Sequence, residues 1–475
     1  MNKRPNIILF MPETMRADAV FGDTEKRAQT PNIDCLVKDG VSFTNCFTQS
    51  PFCTPSRCSM FSGLYPHTSG HRSLCHLLHN HERNLFRDLK EAGYTTICFG
   101  KNDLLAQDSI SESFDSVKLL VQPEQPTYPP VPWGPDHKYY RAFYIGRREG
   151  ENRHDSDWAC IESALKFLDK KHEKPFCLFL PLLFAHPPYT VEEPFFSLHE
   201  RSKIALPIPA KLDGKRKGLQ LMYRTQRLDE LTEDDLREIR AVYYGMISRL
   251  DHQLGLLVEK LRERNLYNST AIFVFSDHGD YAGDYGLVEK WNFGFEDALL
   301  HTPLVMRIPG YNPAGVRRSF VEMVDLYSTV LDVAGVGAKH YHFSRSLLPL
   351  LSDSIKDHHR DAVFAEAGWA TDEKQCFTPL QMMKGSYYEK RGNAVHNNPD
   401  TCARAAMIRT SKYKYAYCPG DHDELYDLTN DPSELCNLNH SSEMKMIKEG
   451  LKERILEWML RTCDTVPLQH DKRNW

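Results

Sequence analysis

Two short apolar runs constrain this chain more than anything else in it: Ile7-Ile8-Leu9-Phe10-Met11 and Ala271-Ile272-Phe273-Val274-Phe275. About five consecutive apolar residues are too few for a core helix and read as a strand buried on both faces, which requires a mainly parallel sheet with helices on either side. Each run is followed by polar residues: Glu13, Thr14, Arg16 and Asp18 after the first, Asp277, His278 and Asp280 after the second. Open α/β sheets place ligands at the carboxyl ends of their strands. Two acidic clusters from distant parts of the chain are therefore expected at one site.

The pattern between these runs is strand, loop, helix, repeated. A helical stretch from Glu82 to Ala92 stops at Gly93 and gives way to a strand, Tyr94 to Gly100. Asp157 is expected to cap a helix with Trp158, Ile161, Ala164, Leu165 and Leu168 on one face, ahead of a strand from Phe176 to Phe184. The clearest helix begins at Thr232, with Asp235 as a capping-box partner, and carries apolar residues at three- and four-residue spacing to Leu261, ending near Asn265. Residues 121–153, 187–232 and 375–401 lack firm periodicity and read as long excursions beside the site. Near Asp361 the texture changes, dividing residues 1–360 from 361–475. Tyr413 to Tyr417 and Glu424 to Leu428 flank a turn at Gly420, and Met444 to Thr462 is helical.

At 475 residues the chain can bury roughly three quarters of its unfolded surface. Hydrophobic content of 41%, a mean hydropathy of −0.51 and a net charge of −5 offer no basic face for nucleic acid. No apolar stretch approaches the roughly 20 residues that cross a bilayer. The amino-terminal run lacks the small-residue cleavage site of a signal peptide. Thirteen cysteines, without zinc-finger spacing, are expected as reduced thiols, and the location expected is the cytoplasm.

The most specific motif is Pro51-Phe52-Cys53-Thr54-Pro55-Ser56-Arg57-Cys58-Ser59-Met60-Phe61-Ser62, a cysteine with Pro at +2 and Arg at +4 that runs into a helix. This block resembles the signature of type I sulfatases of the alkaline phosphatase superfamily, in which the cysteine is oxidised to formylglycine by a maturation enzyme. The resemblance extends from Asn6 to about Leu438. It implies a large sheet sandwiched by helices, followed by a small antiparallel sheet with a helix. It also implies one divalent metal, calcium first and manganese second, held by Glu13, Thr14, Cys53, Asp277 and His278. Asp277 and His278 match the family pattern. Glu13 and Thr14 stand where an Asp pair is usual.

The same resemblance assigns catalytic roles. The hydrated aldehyde at position 53 supplies one hydroxyl to attack sulfur and a second to expel sulfate, and Arg57, one helical turn along, orients it. Lys101, His186 (in Ala185-His186-Pro187) and Lys290 contact sulfate or the leaving oxygen, with leaving-group protonation assigned to His186. Asp103 occupies the position of the family's elimination base, usually a His. His67 and His71 are rim or structural groups.

The expected activity is hydrolysis of a sulfate monoester, a small molecule or an oligosaccharide and by preference a sulfated carbohydrate. Trp133, His137, Tyr139, Tyr140, Arg141, His154 and Trp369 are candidate sugar contacts. Two alternatives stand beside it. Asp277-His278 and the missing His at position 103 also suit a phosphonate or phosphate ester hydrolase, and the departures at Glu13, Thr14 and Asp103 suit a non-catalytic binder of sulfated glycans. The oligomeric state is not legible.

Overall fold

The apolar run at the amino terminus forms β1 (Asn6–Met11), and strands pair with it in parallel on both edges. The computed structural model describes residues 4–23, 27–119, 128–149, 155–311, 315–351 and 358–468. Seven more strands complete the main sheet: β2 (Val41–Phe43), β3 (Thr95–Gly100), β4 (Ser116–Leu119), β5 (Phe176–Pro181), β6 (Thr270–Phe275), β7 (Leu304–Arg307) and β8 (Gly315–Arg317). Their order is β8-β2-β7-β6-β1-β5-β3-β4. Only β7 runs against its neighbours; the other pairings are parallel.

Side-chain alternation along β1 divides the core. Ile8 and Phe10 face one layer, and Ile7, Leu9 and Met11 face the other. The second layer is filled by α1 (Cys53–Ser62) and α2 (Leu85–Glu91), the first by α3 (Ser156–Leu168) and α4 (Glu233–Glu263), and α5 (Leu326–Ala334) joins α1 and α2. Each fully buried Leu, Ile or Phe contributes roughly 1.5–3 kcal/mol. α4 starts at the expected capping box, with the Thr232 side chain accepting from the Asp235 N–H and the Asp235 carboxylate accepting from the Thr232 N–H. α2 starts three residues later than expected, because Asn84 caps it.

Asp157 is not the cap of α3. Asp155 fills that position, accepting the N–H groups of Asp157 and Trp158. The Asp157 carboxylate turns away from its own helix and accepts the N–H groups of Leu183 and Phe184 at 2.8 and 2.9 Å. Those residues were expected within β5; they leave the sheet after Pro181 and carry the chain toward His186.

The expected small sheet is present as β9 (Val363–Ala367), β10 (Ala405–Arg409), β11 (Tyr413–Tyr417) and β12 (Glu424–Asp427), antiparallel throughout. α6 (Glu389–Asn397) lies between its first two strands, and α7 (Lys445–Thr462) packs Leu451, Ile455 and Trp458 onto it. The excursions are not structureless. Residues 187–232 hold the strand Tyr189–Val191 and the helix Lys217–Thr225, and α6 sits within residues 375–401. No helix among the described residues is long and apolar enough to cross a membrane.

Candidate active site

Four adjacent parallel strands deliver the candidate residues. β6 leads to Asp277 and His278, β1 to Glu13 and Thr14, β5 to His186, and β3 to Lys101. With about 4.8 Å between neighbouring strands, their carboxyl ends fall within reach of one small ligand. Gly100 makes the Lys101 position feasible. Its φ is +146°, and a Cβ there would lie 2.1 Å from the Pro181 carbonyl oxygen, the group that accepts the Lys101 N–H.

Cys53 opens α1 beneath these strand ends, and every residue of that helix is buried. Its Sγ lies 2.9 Å from Glu13 Oε1 and 3.3 Å from His278 Nε2. Glu13, Cys53, Asp277 and His278 bring their ligating atoms within 4.8 Å of one another, and all four are buried. The His278 Nδ1–H donates to the Gly279 carbonyl at 2.9 Å, which leaves the Nε2 lone pair for the cluster. Burial lowers the His278 pKa despite Asp277, so the ring is neutral, as a ligand must be.

A divalent cation fits this set on structural grounds. Two carboxylates and a neutral imidazole are converged in a buried pocket, an arrangement suited to an oxygen-preferring or borderline metal. Two neighbouring polar atoms, Thr14 Oγ1 and Arg57 Nη2, are buried with no hydrogen-bond partner. Thr14 also holds a φ of +59°, a strained conformation for a β-branched residue. Its backbone is engaged on both sides, the N–H by Asp277 Oδ1 and the carbonyl by the Tyr243 hydroxyl.

Arg57 lies where an i,i+4 partner of Cys53 must, with Nε 2.9 Å from Asp277 Oδ2 and Nη2 3.5 Å from Glu13 Oε2. Lys101 Nζ reaches Glu13 Oε1 at 2.7 Å and Asp103 Oδ2 at 2.8 Å. Burial would raise the Glu13 pKa, but Lys101, His186, Arg57 and Lys290 together hold it well below the usual carboxylate range. Asp103 is also held low, burial being outweighed by Lys101 and Arg57. The Cys53 thiol is pushed well up by burial and by Glu13. An unmodified Cys53 is therefore a protonated thiol and a poor nucleophile.

His186 and Lys290 form a second pair. Lys290 Nζ donates to His186 Nε2, and the His186 Nδ1–H donates to the Pro187 carbonyl at 2.6 Å. Burial and the Lys290 charge lower the His186 pKa to about 4, while the Lys290 pKa is raised, Cys53 and Glu289 outweighing burial. The ammonium of this pair is thus the proton-rich member. Glu289, not singled out from the sequence, lies 2.8 Å from Lys290 Nζ and pairs on its other oxygen with Arg391 of α6. The adjacency of Glu289 and Lys290 was the only local signal; Arg391 stands in an excursion and had none.

The remaining candidates separate. His67 pairs with Glu366 and with the Thr462 hydroxyl, and His71 with the His76 carbonyl and Glu82, so both are structural. Of the proposed sugar contacts, Trp369 lines the cavity over the site. Trp133 stacks on His137 with Tyr139 tilted against both, Tyr140 packs at a tilt on Tyr387, and Arg141 is held by Gln226 and Glu230. His154 lies outside the described residues.

Comparison with known proteins identifies the family and the fold. The family model for Sulfatase matches residues 5–336. Arylsulfatase K of Homo sapiens is 27% identical over 467 residues, covering 92% of this chain and 79% of the relative. The multifunctional alkaline phosphatase superfamily protein PehA of Trinickia caryophylli is 26% identical over 503 residues, covering 96% and 93%. Among solved structures, the phosphonate monoester hydrolase of Agrobacterium radiobacter superposes with a TM-score of 0.78 at 23% identity, covering 97% of this chain and 96% of that one.

Proposed function

The chain belongs to the sulfatase family and is a sulfuric ester hydrolase, and from that premise we propose that it cleaves a sulfate monoester at the Glu13–Cys53–Asp277–His278 cluster, with position 53 converted to formylglycine. The observation that carries the proposal is the burial of the Cys53 thiol inside a set of metal-capable side chains, flanked by two lysines. Glu13, Asp277, His278 and residue 53, with Thr14 at the rim, would hold the metal, calcium or manganese; when bound, it supplies charge against a sulfate oxygen. Hydration of the aldehyde supplies the nucleophilic hydroxyl.

The chain's own residues provide the rest. Arg57 fixes the floor of the site through Asp277 and Glu13. Lys101 supplies permanent positive charge for the ester oxygens, and Lys290 supplies it until the leaving oxygen takes its proton. The Lys290–His186 pair holds a proton beside the position of the leaving oxygen, and Lys290 donates it while neutral His186 fixes the ammonium. Asp103, ionised and paired with Lys101, is the base in this reading.

We further propose residues 1–360 as the catalytic unit and residues 361–475 as the unit that closes its cavity. Trp369, Phe377 and His396 on the cavity wall support that division. A cytoplasmic location is supported by thirteen cysteines that form no disulfide among the described residues. Of the residues expected to contact a sugar, Trp369 is the one among those described that lines the cavity, where its face can stack on a ring.

A second reading, phosphonate or phosphate ester hydrolysis, is favoured by Asp103 in place of a histidine. Coexpression with a formylglycine-generating enzyme tests both. The peptide containing Cys53 is expected to show the aldehyde by mass spectrometry, and the protein to release sulfate from sulfate monoesters in a calcium- or manganese-dependent way. Faster turnover of matched phosphonates establishes the second reading, and an unaltered thiol without turnover leaves a binder.

A further inference from the structure

The cavity of about 300 Å³ over the site has a floor and walls of opposite character. Its charged residues, Lys101, Asp103, Glu289 and Lys290, stand at the floor and are paired among themselves or with Glu13 and Arg391. The walls are Trp291, Trp369, Phe377, Met383 and Val395, with Phe52 and Leu74 beside the Cys53 end. Three polar residues interrupt them, Thr378, Tyr388 and His396; His396 Nε2 is taken up by the Thr378 carbonyl, and the Tyr388 hydroxyl donates to Glu289 Oε1 at 3.4 Å.

We infer that the leaving group is a compact, uncharged and largely apolar alcohol, aromatic or alicyclic, carrying a single sulfate. This rests on the sulfatase reading and names its substrate class. Among the described residues, the walls offer no arginine or lysine for a second sulfate, and the carboxylates of Asp103 and Glu289 oppose one. Donors on the walls are few, the Tyr388 hydroxyl and the indole N–H groups of Trp291 and Trp369, and the walls lack the amide and carboxylate side chains that pair with the several hydroxyls of a sugar; a hydroxyl buried without a partner is disfavoured. Aromatic and thioether surface instead rewards apolar area. The cavity volume sits at the small end for ligand pockets.

Gly392 sets one boundary of the space. A Cβ at that position would lie 2.3 Å from Met383 Cε and 2.7 Å from its Sδ, so Met383 rests directly on the glycine. Any side chain at 392 must displace Met383, itself part of the cavity wall. At the far end Trp369 lines both this cavity and a groove of about 930 Å³ against α7.

Cyclohexylmethyl sulfate and glucose 6-sulfate test the inference, because both are primary alkyl esters of similar intrinsic reactivity. The mature holoenzyme is expected to favour cyclohexylmethyl sulfate by on the order of 100-fold in kcat/KM. Calorimetry on the metal-loaded Cys53→Ala protein is expected to rank binding in the same order without turnover. Gly392→Ala is expected to lower the ratio of cyclohexylmethyl to methyl sulfate turnover by about 10-fold, a one-methyl change in an apolar pocket. Equal or better turnover and binding of glucose 6-sulfate overturns the inference and leaves the sulfatase reading intact. Turnover of the matched methylphosphonate esters alone, in the same alcohol order, overturns the sulfatase reading and leaves the inference standing.

Discussion

Arg391 reaches from α6 to the carboxylate of Glu289, the chain neighbour of Lys290. Both partners are about 2% exposed, and the guanidinium is sandwiched between the rings of Phe143 and Trp291, at 4.5 and 5.0 Å from their centroids. A segment far from the signature motif thereby fixes the carboxylate that holds the Lys290 ammonium.

Arg391→Gln removes one partner of this buried pair and is expected to destabilise the protein by about 3–5 kcal/mol. It should also lower kcat more than it raises KM, because Glu289 is then free to draw Lys290 away from His186. Arg391→Lys is expected to recover part of the stability but not the stacked fork geometry. Urea unfolding and steady-state kinetics on the three proteins check this; an unchanged kcat in a folded Arg391→Gln protein contradicts it.

Asp157 acts on the other member of the pair, through the backbone. Its two oxygens hold Leu183 and Phe184, the residues that lead into His186. Asp157→Asn keeps one acceptor and sets an amide against an N–H, a loss of about 1–3 kcal/mol. The expected signature is a fall in kcat with metal content unchanged, read by kinetics beside elemental analysis.

Glu13→Gln leaves Asp277 as the one carboxylate in the cluster. The variant is expected to bind the divalent ion at least about 100-fold more weakly, in line with the loss of a charged oxygen ligand. A wild-type protein saturated at about 100 times its Kd gains about 2.7 kcal/mol from the metal. Chelator should thus lower the wild-type Tm and leave that of Glu13→Gln almost unmoved. Equal chelator sensitivity in the two proteins would falsify the assignment of Glu13.

Stability should fall with acid through His199. Burial, with Arg201 beside it, lowers its pKa from 6.5 to about 4 in the folded protein, where Nε2 meets the Ser248 hydroxyl at 3.0 Å. The unfolded chain binds the proton first, so this contribution is complete above the unfolded value of 6.5 and is lost as pH falls toward about 4. Between about pH 6.5 and 5 the loss is about 2 kcal/mol. His199→Gln should flatten that part of the profile, measured by urea unfolding at both ends.

Much of this was readable from the chain because the informative residues are local signals. The apolar runs before Glu13 and Asp277, the cysteine block and the Thr232–Asp235 box each declare themselves within a few residues. Asp157 shows the limit. Asp155 and Asp157 are both plausible helix starts, and tertiary hydrogen bonds to Leu183 and Phe184 decide between them. Glu289, Arg391 and the cavity walls were not legible, since their meaning comes from which loops fold back over the sheet. The aromatic residues of segment 128–149 misled as sugar contacts for the same reason, as they pack around their own short helix, Lys138–Arg141.

The Cys53 thiol and the His278 ring that covers it are separated by 225 residues of chain. A polypeptide made from its amino end therefore leaves the ribosome with this sulfur uncovered, and β6, which shuts it in, is synthesised much later. Any enzyme that alters Cys53 has that interval in which to work.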